Sequence, residues 1–253
     1  MTSRMLKVIY GAVSYLVFLA TFLYAIGFIG AFGVPKTIDD GQPGSLPTAL
    51  IVDAILLGIF AVQHSLMARP AFKRWWTTIV SPDIERSTYV LLSSLALVLI
   101  FWQWRPANAA IWSIGGAGGV VLWAIFVLGW LIVLTSTFML SHFELFGLTQ
   151  VYAAFVGRPV TPVAFRTPLL YGLVRHPIML GFIIAFWATP RMTLGHLFFA
   201  IMTTAYILIA LQLEEHDLMA RFGAEYGDYK RRVPMLLPMG RKPLRGDTVE
   251  SEH

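Results

Sequence analysis

The sequence predicts an all-α, polytopic transmembrane helix bundle of five to six spans, with a C-terminal helical hairpin and a small cytoplasmic cap. Three observations carry this. Residues of the AVILMFWYC set fill 57% of the 253 positions, mean hydropathy is +0.69 and only 13% are charged, whereas soluble domains are about 45–50% apolar and about 25% charged. The apolar residues gather into runs close to the roughly 20 residues that a spanning helix needs. The basic residues then alternate sharply between the gaps that separate those runs.

The spans fall at about 5–32, 46–67, 87–104, 116–138, 178–189 and 194–213. The first is too long for a signal-peptide core, and Phe32-Gly33-Val34-Pro35 offers no small-residue cleavage site, so it is expected to be retained. Asp39-Asp40-Gly41-Gln42-Pro43-Gly44 reads as an external turn. The fifth run is short and meets the sixth across Thr189-Pro190-Arg191-Met192, which predicts a tight hairpin broken at Pro190. With six passes, sixteen of the nineteen Lys and Arg residues fall on one side, and only Lys36, Arg105 and Arg191 on the other. Positive charge marks the cytoplasmic side, so both termini are expected there. Residues 1–240 form one membrane domain with a cap at 214–240, and 241–253 read as a disordered tail.

There is no cysteine, which excludes disulfides, thiolate metal sites and cysteine nucleophiles. No spaced ligand set indicates a metal. The net charge of +5 reflects the topology and does not point to nucleic acid. Ionisable groups at membrane depth are costly, so each is a candidate site. Asp53 and His64, eleven residues apart, lie within roughly 20° of one helix face with Phe60 between them. That face looks into a cavity, or else each residue reaches water at its own end of the helix. In Ser141 to Tyr152, His142, Glu144 and Gln150 interleave with Phe143, Leu145, Phe146 and Leu148, a pattern for a segment at the interface or one dipping into the bundle. Pro159, Pro162 and Pro168 then space an extended linker.

The densest constellation is C-terminal. Gly172-Leu173-Val174-Arg175-His176-Pro177-Ile178-Met179-Leu180-Gly181 opens the fifth helix, with Pro177 suited to its first turn. The sixth helix ends in Glu214-Glu215-His216-Asp217, followed by Phe222-Gly223, Tyr226-Gly227-Asp228-Tyr229 and Val233-Pro234. Free N–H groups at a helix start, with Arg175 beside them, suit a carboxylate. Two glutamates at a helix end suit an ammonium group or ribose hydroxyls. A hairpin that brings these ends together accommodates a zwitterionic amino-acid moiety.

These C-terminal residues resemble the integral-membrane methyltransferases, which include isoprenylcysteine carboxyl methyltransferases and phospholipid N-methyltransferases. The family pattern usually has Tyr two residues after the Pro, where this chain has Met179. Three further segments are similar to bacterial methanethiol S-methyltransferases: Gln63 to Lys73, Ile84 to Tyr89, and Phe101 to Pro106. So is His142-Phe143-Glu144-Leu145-Phe146-Gly147-Leu148. The resemblance implies methyl transfer from S-adenosylmethionine to methanethiol, giving dimethyl sulfide and S-adenosylhomocysteine. It implies cofactor contacts from Arg175, His176, Pro177, Gly181, Glu214, Glu215 and Tyr229, and places His64, His142 and Glu144 as candidates for the catalytic end. A direct displacement needs no covalent enzyme intermediate, in keeping with a chain without cysteine. His64 or His142 would take the thiol proton or stabilise the thiolate, with Arg69 and Arg175 as positive neighbours. The expected partners are a small thiol and the lipid bilayer. Two alternatives stand beside this: a lipid-borne or prenylated acceptor on the same fold, and a non-methyltransferase protein of the NnrU-like kind, which the first of these segments also resembles.

Overall fold

Apolar runs of this length become helices in a bilayer because only a helix satisfies every backbone polar group within one segment. The computed structural model describes residues 2–41, 44–159 and 165–238; the expected tail at 241–253, with Gln42, Pro43 and Pro162, lies outside the described residues. Five helices are long and apolar enough to cross a membrane: α1 (Thr2–Gly30), α2 (Leu46–Ala68), α4 (Pro82–Gln103), α5 (Gly116–Leu140) and α10 (Leu194–Phe222). Their starts follow local chemistry. Ser45 Oγ accepts the Thr48 N–H at α2, Thr193 Oγ1 accepts the His196 N–H at α10, and Asp83 and Glu85 sit in the first turn of α4, where the helix dipole favours negative charge.

The expected fifth span is the short helix α9 (Pro177–Trp187), whose 11 residues rise about 16 Å, half of a bilayer core of about 30 Å. Residues 188–193 complete the pass in irregular and extended backbone. Tyr171 Oη donates to the Ser136 carbonyl, while a Cβ on Gly119 would lie 3.9 Å from Pro190. The chain from 171 to 190 therefore runs alongside α5 from 136 to 119, about 26 Å of helix. Beside the five long helices, α9 with residues 188–193 thus forms a sixth segment of nearly the same reach. The α9 backbone can run against α5 because both surfaces are glycine there. A Cβ on Gly181 would fall 2.7 Å from the Gly129 carbonyl oxygen, and one on Gly129 would fall 2.7 Å from Ala185 N.

At the end opposite the basic residues, β1 (Ala110–Ser113) pairs antiparallel with β2 (Arg191–Thr193), Ala110 opposite Thr193 and Ser113 opposite Arg191. This ribbon departs from the expectation of helices joined by loops. It gives the peptide groups between α4 and α5 and before α10 partners that neither segment supplies alone. Near it the Asp53 carboxylate, 1% exposed, accepts the Arg105 N–H at 2.9 Å just past the end of α4. Asp53 is therefore buried at that end of the bundle rather than wetted by interfacial water.

The basic end carries the short elements: α3 (Pro70–Trp76), α6 (His142–Leu145), α7 (Leu148–Val156), α8 (Leu170–Leu173) and α11 (Ala224–Arg232). Helix α1 packs on α4 and α7, α4 on α2, and α10 on α2, α9 and α11. Phe28, Phe101, Trp104, Phe126, Trp130, Phe186 and Phe199 fill the core between them. Leu16, Leu23, Ile51, Val62, Val120 and Ile209 point outward, as a lipid-facing surface requires.

Candidate active site

The start of α9 meets α10 at Glu215, and a buried ionic clasp joins them. Helix α10 does not end at Glu214–Asp217 as expected but runs on to Phe222, so the two glutamates lie within the helix and not at its end. Glu215, with 1% of its side chain exposed, receives Arg175 Nε at 2.7 Å and Nη2 at 2.6 Å on Oε1, and Lys230 Nζ at 2.7 Å on Oε2. His176 Nε2 lies 3.2 Å from the same Oε1. Arg175 Nη1 donates to the Val233 and Lys230 carbonyls, its backbone N–H to Pro234 and that of His176 to Met235. Tyr229 Oη donates to the Tyr171 carbonyl at 2.6 Å. The segment 233–235 is thus latched onto 175–176. Arg175, His176, Glu215 and Tyr229 come together as expected, while Lys230 was not anticipated from the sequence.

Glu214, one position earlier on a helix that turns about 100° per residue, faces elsewhere. Its side chain is 46% exposed, with His176 Nδ1 3.9 Å away. Burial, then the Glu214 carboxylate, hold the Tyr171 phenol well above its usual pKa, and burial and Glu215 do the same to Tyr226. Tyr226 is 1% exposed and its hydroxyl has no hydrogen-bond partner among the described residues. Pro177 opens α9, so the helix presents the N–H groups of Ile178 and Met179, which bond to no other backbone carbonyl. Gly181 lies against Gly129 and Val133 of α5. A cavity of about 450 Å³ opens beside Arg175, lined also by Met219, Gly227, Lys230 and Arg231.

His64 sits between α2, α4 and α10. Its ring stacks on Phe60 with centroids 5.1 Å apart, Nδ1 is 3.2 Å from Ser93 Oγ, and the Tyr89 hydroxyl lies 3.0 Å from both ring nitrogens. Next to it Ser65 Oγ meets Tyr206 Oη at 3.0 Å. Tyr89 and Tyr206 both lie within electrostatic reach of Glu214 and Arg69, which puts this cluster on the Glu214 side of the clasp. Arg69 Nη1 also holds Asp217 at 2.8 Å.

His142 is elsewhere, between α1 and the end of α5. Its ring stacks on Phe138 at 4.3 Å and 5°, with Nε2 2.9 Å from Tyr15 Oη and Nδ1 2.9 Å from Thr137 Oγ1. Burial pushes its pKa below the usual value. Glu144 is half-buried, and its backbone carbonyl accepts Gln150 Nε2 at 3.2 Å. Among the described residues no hydrogen bond, ion pair or ring contact joins His142 or Glu144 to the His64 cluster or to the clasp. The hydrogen-bond partners of His64 and His142, namely Tyr89, Ser93 and Tyr15, lie 25 to 127 residues away in sequence, with Thr137 alone close by.

The fold and site define a multi-pass helical membrane protein with a polar interior at its basic end. A Mycobacterium tuberculosis protein named methanethiol S-methyltransferase is 61% identical over 236 residues, 93% of this chain and 97% of its own. Bradyrhizobium diazoefficiens methanethiol S-methyltransferase 2 is 56% identical over 94% of this chain and 92% of its own, and the Crocosphaera subtropica protein of that name 52% identical over 95% of each. No family model and no solved structure matches the chain. The chain belongs to the methanethiol S-methyltransferase family, and is therefore an enzyme that transfers methyl groups.

Proposed function

We propose that this protein methylates methanethiol with S-adenosylmethionine, releasing dimethyl sulfide and S-adenosylhomocysteine, from a site facing the cytoplasm of a bacterial inner membrane, both termini on that side. The single observation that carries the reading is 52–61% identity over more than nine-tenths of the chain to relatives bearing that name. The basic end supports the orientation.

The residues present suit an amino-acid-bearing sulfonium donor. Glu214 is the carboxylate not consumed by the clasp, and it suits the ammonium group. The Ile178 and Met179 N–H groups at the start of α9 suit the carboxylate. The orphaned Tyr226 hydroxyl is a further polar contact. Arg175, spent on Glu215 and Val233, acts one step back by fixing where α9 begins. When bound, S-adenosylmethionine supplies an electrophilic methyl group. The chain's own part is to bring the thiol sulfur into line with it, exclude water and take up the thiol proton. His64 Nε2 is the acceptor in this reading, with Nδ1–H directed at Ser93 Oγ and Tyr89 steadying the ring. Phe60 and Tyr206 supply a small apolar wall for a one-carbon thiol.

Headspace gas chromatography on detergent-purified protein tests this. Dimethyl sulfide is expected only when S-adenosylmethionine and methanethiol are both present. Its absence from the complete mixture, while S-adenosylmethionine still binds, overturns the thiol acceptor; failure to bind S-adenosylmethionine overturns the donor.

A further inference from the structure

One group of charges lies outside the clasp and the His64 cluster. It sits where α2 passes into α3, beside the first turns of α4 and the last turn of α10. Arg69 and Lys73 are one helical turn apart, as are Asp217 and Arg221, and the Arg69–Asp217 ion pair at 2.8 Å sets the two faces against each other. Arg86 lies one turn before Tyr89, whose hydroxyl reaches His64, so Arg86 points towards the same junction. Among the described residues, Lys73 and Arg86 make no ion pair or hydrogen bond through their side chains, and Arg221 makes only a cation–π contact with Phe222, 4.9 Å from its centroid. The acidic groups on this side of the junction are Asp217, already engaged, and Glu85, while Glu214, one turn before Asp217, lies towards Tyr89 and Tyr206.

Two orphaned polar atoms accompany the cations. Trp76 Nε1, on the residue one turn beyond Lys73, is a buried donor with no acceptor among the described residues. Glu85 Oε1 is a buried acceptor with no donor among the described residues. A cluster of four cations facing two carboxylates, with a spare N–H, carries a local excess of positive charge that an anion relieves. Burial, then Arg86, hold Lys73 below its usual pKa, the sign expected of an ammonium crowded by its own kind. The setting is a membrane surface: Trp75, Ile79 and Leu66 around the cluster are exposed, and Phe72 stacks on Trp76 at 5.8 Å.

We propose that the junction of α2, α3, α4 and α10 is a binding site for the headgroup of an anionic phospholipid. Arg69, Lys73, Arg86 and Arg221 take its phosphate, Trp76 Nε1–H adds a donor, and Glu85 accepts a headgroup hydroxyl. Phosphatidylglycerol has both features. The acyl chains run down the exposed apolar surface of α2 and α3. Because His64 lies little more than a turn before Arg69, the lipid steadies the same end of α2 that carries the histidine.

The test is native mass spectrometry of the full chain released from nanodiscs of phosphatidylcholine alone or with 30 mol% phosphatidylglycerol, together with its thermal unfolding midpoint in each. Retained phosphatidylglycerol and a higher midpoint are expected for the wild type. Lys73→Gln is expected to weaken retention about fivefold, the loss of one surface cation, with Lys73→Arg restoring it and exposed Arg232→Gln leaving it unchanged. Equal behaviour of the wild type in the two nanodiscs overturns the proposal, whether or not the variants fold. So does an unaltered lipid preference in Lys73→Gln. Millimolar inorganic phosphate reproducing the rise in midpoint in phosphatidylcholine alone overturns the lipid as source and leaves a site for free phosphate.

Discussion

Arg175 Nε reaches Glu215 Oε1 at 2.7 Å with both side chains almost wholly buried, and this contact fixes α9 against α10. Removing one partner of a buried ion pair leaves the other without compensation, which costs roughly 3–5 kcal/mol. Glu215→Gln is therefore expected to lower the unfolding midpoint sharply in detergent. Glu214→Gln, at a half-exposed side chain, is expected to leave the midpoint within a degree or two. It should weaken S-adenosylmethionine binding about 10- to 100-fold by isothermal titration, the scale of a lost charge-assisted hydrogen bond.

The two candidate histidines separate by kinetics. His64→Ala is expected to lower kcat about 100-fold at pH 7, the low end of what a positioned general base contributes, with Tyr89→Phe showing a smaller loss. His142→Ala should retain kcat within about threefold. Equal losses in both would return His142 to the catalytic group.

A pH dependence follows from His142. Burial depresses its folded pKa below the unfolded value of about 6.5. The folded state then binds fewer protons than the unfolded one, so the stability this group contributes is full above that value and is lost as pH falls through it. Between pH 7.5 and 5.5 the wild-type midpoint is expected to drop further than that of His142→Gln. Parallel curves for the two proteins would show that His142 is not the titrating group.

Close backbone approach makes a fourth prediction. Gly181→Ala puts a methyl group 2.7 Å from the Gly129 carbonyl oxygen and 2.9 Å from Val133 N, where only backbone can yield. Such overpacking costs about 1–3 kcal/mol, seen as a lower midpoint and reduced activity. Gly58→Ala in α2 meets nothing within 4 Å and should be neutral or slightly stabilising.

Much of this architecture is readable from local pattern. Runs of apolar residues gave α1, α2 and α5 to within three residues, and Pro177 and Pro190 bracketed α9; α4 begins five residues before its apolar run and α10 continues nine residues past its own, because polar turns extend both helices. The Arg175-His176-Pro177 turn and Glu214-Glu215 stood out because charge is rare beside such runs. What eluded local pattern depends on partners distant in sequence. The two strands of the ribbon are only four and three residues long, too short to show an alternating pattern, and each is held by pairing with the other. The two glutamates look alike in sequence, and only packing against Arg175 and Lys230 separates them. Tyr15 binds His142 from 127 residues away, a distance at which spacing carries no information.

The latch of Val233 to Met235 on Arg175 and His176 has a consequence for how the protein is made. All six apolar helices precede the latch in the chain, so the ribosome has delivered every hydrophobic segment to the membrane before residues 230–235 emerge. Insertion and closure of the clasp are therefore separate events in biogenesis. Between them stands a polypeptide whose Arg175 still lacks its carbonyl partners at Lys230, Val233 and Pro234.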